Sequence, residues 1–157
     1  TLVVLDNRGT AMTGFQPHPG IGHDAMGQTA HSIDIPSVCR AMGAEVRVCD
    51  PFDLEQSRDT LLELIDRKGV NVLVLKQACA LSPEKKSTKR YDMTVDETLC
   101  AGETCGCNRM CTRIFACPGL VWDKADNRAR IDDVTCAGCG FCASICPKNA
   151  LRKKEVA

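Results

Sequence analysis

Nine of the twelve cysteines lie between Cys100 and Cys146, and four of them keep one strict spacing: Cys136-x2-Cys139-x2-Cys142-x3-Cys146-Pro147. No other feature limits the fold as tightly. Three thiolates on so short a loop converge on one centre, so the backbone must wrap something other than its own side chains. Disulfide frameworks belong to small secreted chains. Tetrahedral zinc sites usually take two separated Cys-x2-Cys pairs. The 2-2-3 spacing closed by Cys-Pro is that of a [4Fe–4S] cluster, and it implies a reducing compartment. Where two such clusters share a chain, the Cys before Pro serves the other one. Cys136, Cys139 and Cys142 therefore form one set, completed by Cys117, and Cys146 crosses to a second. Gly138, Gly140 and Ala143 are small enough to let backbone N–H groups approach the sulfurs.

The second set comes from an internal repeat. Val95-Asp96-Glu97-Thr98-Leu99-Cys100 matches Ile131-Asp132-Asp133-Val134-Thr135-Cys136, Cys117-Pro118 matches Cys146-Pro147, and Gly119-Leu120 matches Ala150-Leu151. The first copy is irregular: Cys100-x4-Cys105-x-Cys107-x3-Cys111-x5-Cys117 holds five cysteines where four are needed. The repeat favours Cys100, Cys107, Cys111 and Cys146, with Cys105 spare. The insertion Ala101-Gly102-Glu103-Thr104 leaves Cys105 in competition for the second place and even for that of Cys100. Each half has too few apolar residues for a core of its own, so the clusters would substitute for one. Residues 81–157 carry 13 Lys and Arg against 10 Asp and Glu, which partly offsets the negative charge of two thiolate-bound clusters.

The first half reads differently. Thr1-Leu2-Val3-Val4-Leu5-Asp6 suits a buried parallel strand. A short helix follows over Ile35 to Met42, with Pro36 in its first turn and Gly43 at its end. Glu45 to Cys49 alternates as a strand. Asp53 caps a helix running to Arg67, whose apolar face is Leu54, Leu61, Leu62, Leu64 and Ile65. Val70 to Leu75 is a further buried strand. Strands alternating with helices imply a parallel sheet covered on both faces, an α/β fold. Cys39, Cys49 and Cys79 read as structural thiols. The polar stretch SPEKKSTKRYD is a linker, with Lys85, Lys86, Lys89 and Arg90 solvated or docking an acidic partner.

Ligands of open parallel sheets bind beyond the carboxyl ends of the strands. Asp6-Asn7 stands there. Asp6-Asn7-Arg8-Gly9 is either a turn, as Asx and Gly residues commonly make, or a hard-oxygen site for magnesium, with the loop Gly9 to Gly14 wrapping a diphosphate. His18, His23 and His31 lie in or near this loop. His18 is the weak candidate for a catalytic contact, set against simple packing, and Gln16 stands with it. The formal net charge of zero argues against a nucleic-acid binder. No apolar run reaches the roughly 20 residues of a membrane span, and no secretory signal leads the chain.

LDNRGTAMTGFQPHPG, SIDIPSVCRAMGAEVRVCDPFDL, CAGETCGCNRMCTRIFACPGL and CAGCGFCASICP together cover nearly the whole chain. They resemble the C-terminal part of the alpha subunit of the indolepyruvate:ferredoxin oxidoreductase family. The resemblance implies a partial parallel-sheet thiamine-diphosphate-binding domain over residues 1–81, a linker over 82–93 and a small α+β bacterial-type 2[4Fe–4S] ferredoxin domain over 94–157. It implies that Asn7 and the Gly9 carbonyl bind magnesium and that Thr10, Met12 and Thr13 lie along thiamine diphosphate. The family's thiamine motif begins with an upstream Gly-Asp that is not in this sequence, so the chain is expected to be a fragment that is not catalytic alone. The implied reaction is oxidative decarboxylation of an arylpyruvate to an acyl-coenzyme A. Electrons would leave through two clusters to soluble ferredoxin, in a cytoplasmic, anaerobic complex with a beta subunit. A subunit acting on pyruvate or 2-oxoglutarate, and a non-enzymatic electron carrier, are the alternatives.

Overall fold

The computed structural model describes residues 1–79, 82 and 89–156. The chain divides into two compact units, Thr1–Ser82 and Pro83–Ala157. The expected linker residues 83–88, with Lys85 and Lys86, lie outside the described residues.

In the first unit three parallel strands stand in the order β1-β3-β2. They are β1 (Leu2–Asp6), β2 (Glu45–Cys49) and β3 (Asn71–Lys76). Two helices connect them, α1 (Ile35–Ala41) and α2 (Leu54–Asp66). Both start on an Asp cap. Asp34 accepts the Ser37 N–H at 3.0 Å and Asp53 accepts the Gln56 N–H at 3.1 Å, each satisfying a donor that the helix cannot.

The central strand β3 shows the two-residue period of a sheet buried on both sides. Val72 and Val74 pack with Val46, Ile35 and Cys39 on one face. Leu73 and Leu75 pack with Cys49, Leu61 and Leu64 on the other. Cys39 and Cys49 are thus packing residues. Asn71 closes the α2–β3 turn, its buried amide donating to the carbonyls of Leu64 at 3.1 Å and Arg67 at 2.8 Å.

Two expectations fail here. β1 is an outer strand with large exposure, Leu5 reaching 72%, although its Val4 packs against the Val46, Val72 and Val74 cluster. The apolar face of α2 is also narrower than its sequence: Leu64 is fully buried and Leu61 partly so, whereas Leu62 is 54% and Ile65 57% exposed, with Leu54 exposed as well. Helical periodicity gives which residues are apolar, and the position of the sheet decides which are covered. β3 also starts one residue later than expected, leaving Val70 exposed.

The second unit is two antiparallel ribbons. β4 (Tyr91–Val95) pairs with β7 (Leu151–Glu155), and β5 (Leu120–Asp123) pairs with β6 (Arg128–Ile131). β4 corrects the expected linker: Tyr91, Asp92 and Met93 belong to a strand, and Met93 is buried in the core with Leu120, Cys142 and Leu151. This single core draws on both repeats. Val95 pairs with Leu151, and Ile131 with Leu120, so the repeats interlock as a pseudo-twofold unit. Phe115 of the first repeat stacks on Phe141 of the second, ring centroids 5.2 Å apart.

The two faces of α2 make a direct test. Leu64→Ala should destabilise the protein by about 2–5 kcal/mol, while Leu62→Ala should change it by less than about 0.5 kcal/mol in denaturant unfolding.

Candidate functional site

Two arrangements bear chemistry, one in each unit. In the first, β1 ends on Asp6 and the chain runs with only a three-residue 3₁₀ turn, Ala11–Thr13, until α1 at Ile35. Irregular connections this long are uncommon in compact domains unless they serve a function. Asp6 is buried and its carboxylate accepts the Arg8 N–H at 3.2 Å, and the Asn7 side-chain oxygen accepts the Gly9 N–H at 3.2 Å. Two successive Asx turns therefore reverse the chain. The main chain is locked from the other side, because Gln77 N–H bonds to the Asp6 carbonyl and Cys79 N–H to the Asn7 carbonyl, both at 3.0 Å. Asn7 is thus a turn residue held rigidly at the carboxyl edge, and its exposed amide oxygen keeps a lone pair for a hard cation.

Gly9, Thr10, Met12 and Thr13 follow in one closed loop. Thr10 N–H bonds to the Gln16 carbonyl at 3.2 Å, Phe15 N–H bonds back to the Thr10 carbonyl at 3.1 Å, and Met12 stands almost fully exposed at the tip. Thr13 donates to the Gln16 side-chain oxygen at 2.6 Å, and the Gln16 amide donates to the Thr13 carbonyl. Gln16 therefore holds the loop together. His18 accepts the Gly20 N–H on Nδ1 at 3.1 Å, and a Cβ on Gly20 would stand 2.9 Å from the His18 ring. That geometry fits packing of the loop. His23 and His31 are exposed.

In the second unit the repeat appears as two equivalent turns. Asp96 accepts the N–H groups of Thr98 and Leu99 and the Thr98 hydroxyl on its side chain, and its carbonyl accepts the Cys100 N–H at 2.9 Å. Asp132 accepts the Val134 N–H and the Thr135 hydroxyl, and its carbonyl accepts the Cys136 N–H at 2.8 Å. Hydrogen bonds from Thr98 hold Asp96, and those from Thr135 and Val134 hold Asp132, below the usual carboxylate range. Each turn delivers a cysteine to the start of its loop.

The cross-connections are equally regular. Asp132 N–H bonds to the Gly119 carbonyl at 3.0 Å, and Asp96 N–H bonds to the Ala150 carbonyl at 2.7 Å. A Cβ on Gly119 would lie 2.8 Å from the Cys136 Cα, so only glycine lets Cys117-Pro118-Gly119 press against the second loop. Burial, followed by the charges of Cys139, Cys117 and Cys136, pushes the Cys142 thiol up to about 12.

Cys100, Cys105, Cys107, Cys111 and Cys146 line a separate apolar cavity. The sulfur of Cys146 accepts the Ala150 N–H at 3.3 Å, a bond that favours a ligating thiolate. Both groups of cysteines are soft sulfur in partly buried surroundings, the type of donor an iron–sulfur cluster takes, although among the described residues no three of them stand close enough together to hold a metal ion.

Two features were not legible in sequence. The loop glycines serve a strand: a Cβ on Gly138 would lie 2.6 Å from the Tyr91 carbonyl, and one on Gly140 2.6 Å from the Tyr91 ring. The space they free is taken by Tyr91 of β4 and its neighbours. The other is Tyr91 itself, flanked by the cations of Arg90 at 5.3 Å and Lys153 at 5.0 Å. Lys89 bonds to the Asp133 carbonyl at 2.9 Å.

Among the described residues no helix is long and apolar enough to cross a membrane. Residues 1–75 match the family of thiamine pyrophosphate enzymes, C-terminal TPP binding domain, and residues 129–152 match the 4Fe-4S binding domain family. The chain thus joins a thiamine-diphosphate-binding α/β domain to an iron–sulfur domain.

Among characterised proteins it is similar to the indolepyruvate oxidoreductase subunit IorA of Pyrococcus horikoshii, 39% identical over 97% of this chain and 23% of that protein. The corresponding subunit of Thermococcus kodakarensis is 38% identical over 96% of this chain and 23% of its own length. That of Archaeoglobus fulgidus is 35% identical over 96% and 24%. The chain is thus similar along nearly all its length to these IorA subunits, and it spans about a quarter of their length. No solved structure gives a significant match.

The depressed carboxylates have a pH consequence. Asp96 and Asp132 stabilise the fold above the unfolded carboxylate pKa of 3.8, and that contribution is lost as pH falls through their lower folded values. Between about pH 5 and 2 the unfolding free energy should fall, and it should fall less steeply in Asp132→Ala, as read by urea titrations at each pH.

Proposed function

We propose that this chain is the segment of a 2-oxoacid:ferredoxin oxidoreductase in which half of a thiamine diphosphate site is followed by two [4Fe–4S] clusters. The substrate is an arylpyruvate such as indolepyruvate, oxidatively decarboxylated to an acyl-coenzyme A. A beta subunit and a soluble ferredoxin are the partners, and the compartment is an anaerobic cytoplasm. The observation that carries this reading is the reciprocal placing of the cysteines. Gly119 seats Cys117 against the loop of Cys136, Cys139 and Cys142, while Cys146 joins the cavity of Cys100, Cys107 and Cys111. The similarity to indolepyruvate oxidoreductase subunits over nearly the whole chain supports it.

When bound, thiamine diphosphate supplies the carbanion that opens a 2-oxoacid, and the clusters take up electrons one at a time. The chain's own residues hold and shield these groups. The Asn7 amide oxygen and the Gly9 carbonyl would ligate Mg2+, with Thr10, Met12 and Thr13 along the cofactor. The Asx turns and the bonds from Gln77 and Cys79 keep Asn7 in place while the ligand exchanges. The division into Thr1–Ser82 and Pro83–Ala157, with β4 in the second unit, serves these roles: one part binds, the other conducts. Cysteines of both sets, among them Cys111, Cys117, Cys136 and Cys146, pack against the Met93, Leu120, Cys142 and Leu151 core, which shields them on that side.

Iron analysis tests the ligand sets. The reconstituted chain should hold close to eight irons with matching labile sulfide. Cys117→Ala and Cys136→Ala should each abolish one and the same electron paramagnetic resonance signal, and Cys100→Ala and Cys146→Ala the other. Loss of different signals by Cys117→Ala and Cys136→Ala would overturn the crossing.

Substrate is tested on the complex that contains this chain, kept anaerobic with coenzyme A and ferredoxin. Indolepyruvate should reduce ferredoxin, and Asn7→Ala should lower the rate at least about tenfold with a raised Mg2+ requirement. Turnover on pyruvate or 2-oxoglutarate alone would replace the substrate. No turnover on any 2-oxoacid would leave an electron carrier.

A further inference from the structure

We propose that the side chains of Asp50 and Gln77 are a positioning pair for the magnesium end of the thiamine site. They brace the main chain that fixes Asn7, and so set the affinity for the metal. The inference rests on the Asn7 reading above and deepens it.

The pair joins the exits of the two strands that do not carry Asn7. Asp50 directly follows β2, Gln77 directly follows β3, and both are partly buried. The Gln77 side-chain amide donates to both Asp50 carboxylate oxygens, at 3.3 and 3.4 Å. The Gln77 side-chain oxygen accepts the Ala78 N–H at 3.1 Å. An amide engaged at both its nitrogen and its oxygen cannot turn freely. It therefore braces the segment from Gln77 to Cys79, which lies beyond the end of β3. That segment carries the two N–H groups that reach the exit of β1, Gln77 on the Asp6 carbonyl and Cys79 on the Asn7 carbonyl.

Asp50 is a firm anchor for a separate reason. Its carboxylate also accepts the Phe52 N–H at 2.9 Å. Its carbonyl accepts the Asp53 N–H and the Ser57 hydroxyl, both at 3.0 Å, and these donors are the cap and the first turn of α2. A chain of hydrogen bonds thus runs from α2 through Asp50 and Gln77 to the main chain of Asn7. The bracing matters at this place because β1 is an outer strand and Asn7 is exposed. Packing does little to aim the Asn7 amide, so its direction comes from the hydrogen bonds around it. Magnesium demands near-ideal geometry from its oxygens. Groups that orient a ligand from behind are commonly worth 10–100-fold in metal affinity. Loss of the pair should therefore weaken Mg2+ binding while every candidate ligand stays in the chain.

The test uses the complex that contains this chain, freed of its cofactor. Thiamine diphosphate binding is measured by titration calorimetry over a series of Mg2+ concentrations, with thermal unfolding recorded beside it. Gln77→Leu removes the side-chain bond and keeps the main-chain N–H. It should raise the Mg2+ concentration for half-maximal binding about tenfold. Asp50→Asn keeps an oxygen for Gln77 and should bind like wild type. Gln77→Glu sets two carboxylates face to face and should also raise the requirement. Adding Asp50→Asn to it reverses donor and acceptor and should restore the wild-type value, which a general loss of stability would not do. An unmoved Mg2+ requirement in Gln77→Leu, whatever its melting temperature, would make the pair a plain tie between strands and overturn the proposal. Should Gln77→Leu not fold, a folded exchanged pair whose requirement stays raised would overturn it. Asn7→Ala with an unmoved requirement would instead sink the Asn7 reading from which it starts.

Discussion

β4 enters the first cysteine loop and pairs with β7, which leaves the second. β6 enters the second and pairs with β5, which leaves the first. Each repeat therefore supplies one edge of both ribbons, and neither can form a ribbon alone. The constraint explains the single core, since Met93 and Leu120 come from one copy and Leu151 and Cys142 from the other. It also explains why the cysteine before each proline lies beside the opposite loop: the carbonyls of Gly119 and Ala150 are tied to Asp132 and Asp96 before the exit strands begin. Aspartate, proline and glycine are the residues these turns need. Asp satisfies several backbone donors at once, and Gly119 leaves room for a main chain that a methyl group would meet.

The regular part of this fold is legible in the sequence because it obeys local rules. Asp53 before a run of helix formers caps α2, and Glu45 to Cys49 alternates and forms β2. The Asp-x3-Cys repeat announces the two equivalent turns. What is not legible depends on partners distant in sequence. Tyr91-Asp92-Met93 sits in a charged stretch and reads as linker, and only pairing with β7 and burial of Met93 make it a strand. Leu54, Leu62 and Ile65 follow the helical period, yet the narrow sheet leaves them uncovered. Gly138 and Gly140 give a true signal, that something must come close, without naming Tyr91 as the neighbour.

The candidate site divides in the same way. Spacing alone identifies Cys136, Cys139, Cys142 and Cys146, because the motif is a property of one loop. The irregular first copy needs three dimensions: the left-handed pair Asn108-Arg109 has no sequence signal beyond a permissive Asn. At Asn7 the structure shows the turn: its side-chain oxygen accepts the Gly9 N–H at the edge of the sheet.

The interlocked ribbons also set a schedule. Tyr91 and Glu155 are partners about sixty residues apart, so most of the order in this unit is paid for by contacts that close late. A chain leaving the ribosome presents Cys100 to Cys117 while β4 still lacks β7. For that interval the thiols are unprotected by any core, open to oxidants and to the wrong metal. A protein built this way depends on its maturation environment more than its finished stability suggests, and oxygen would harm it first at the moment of synthesis.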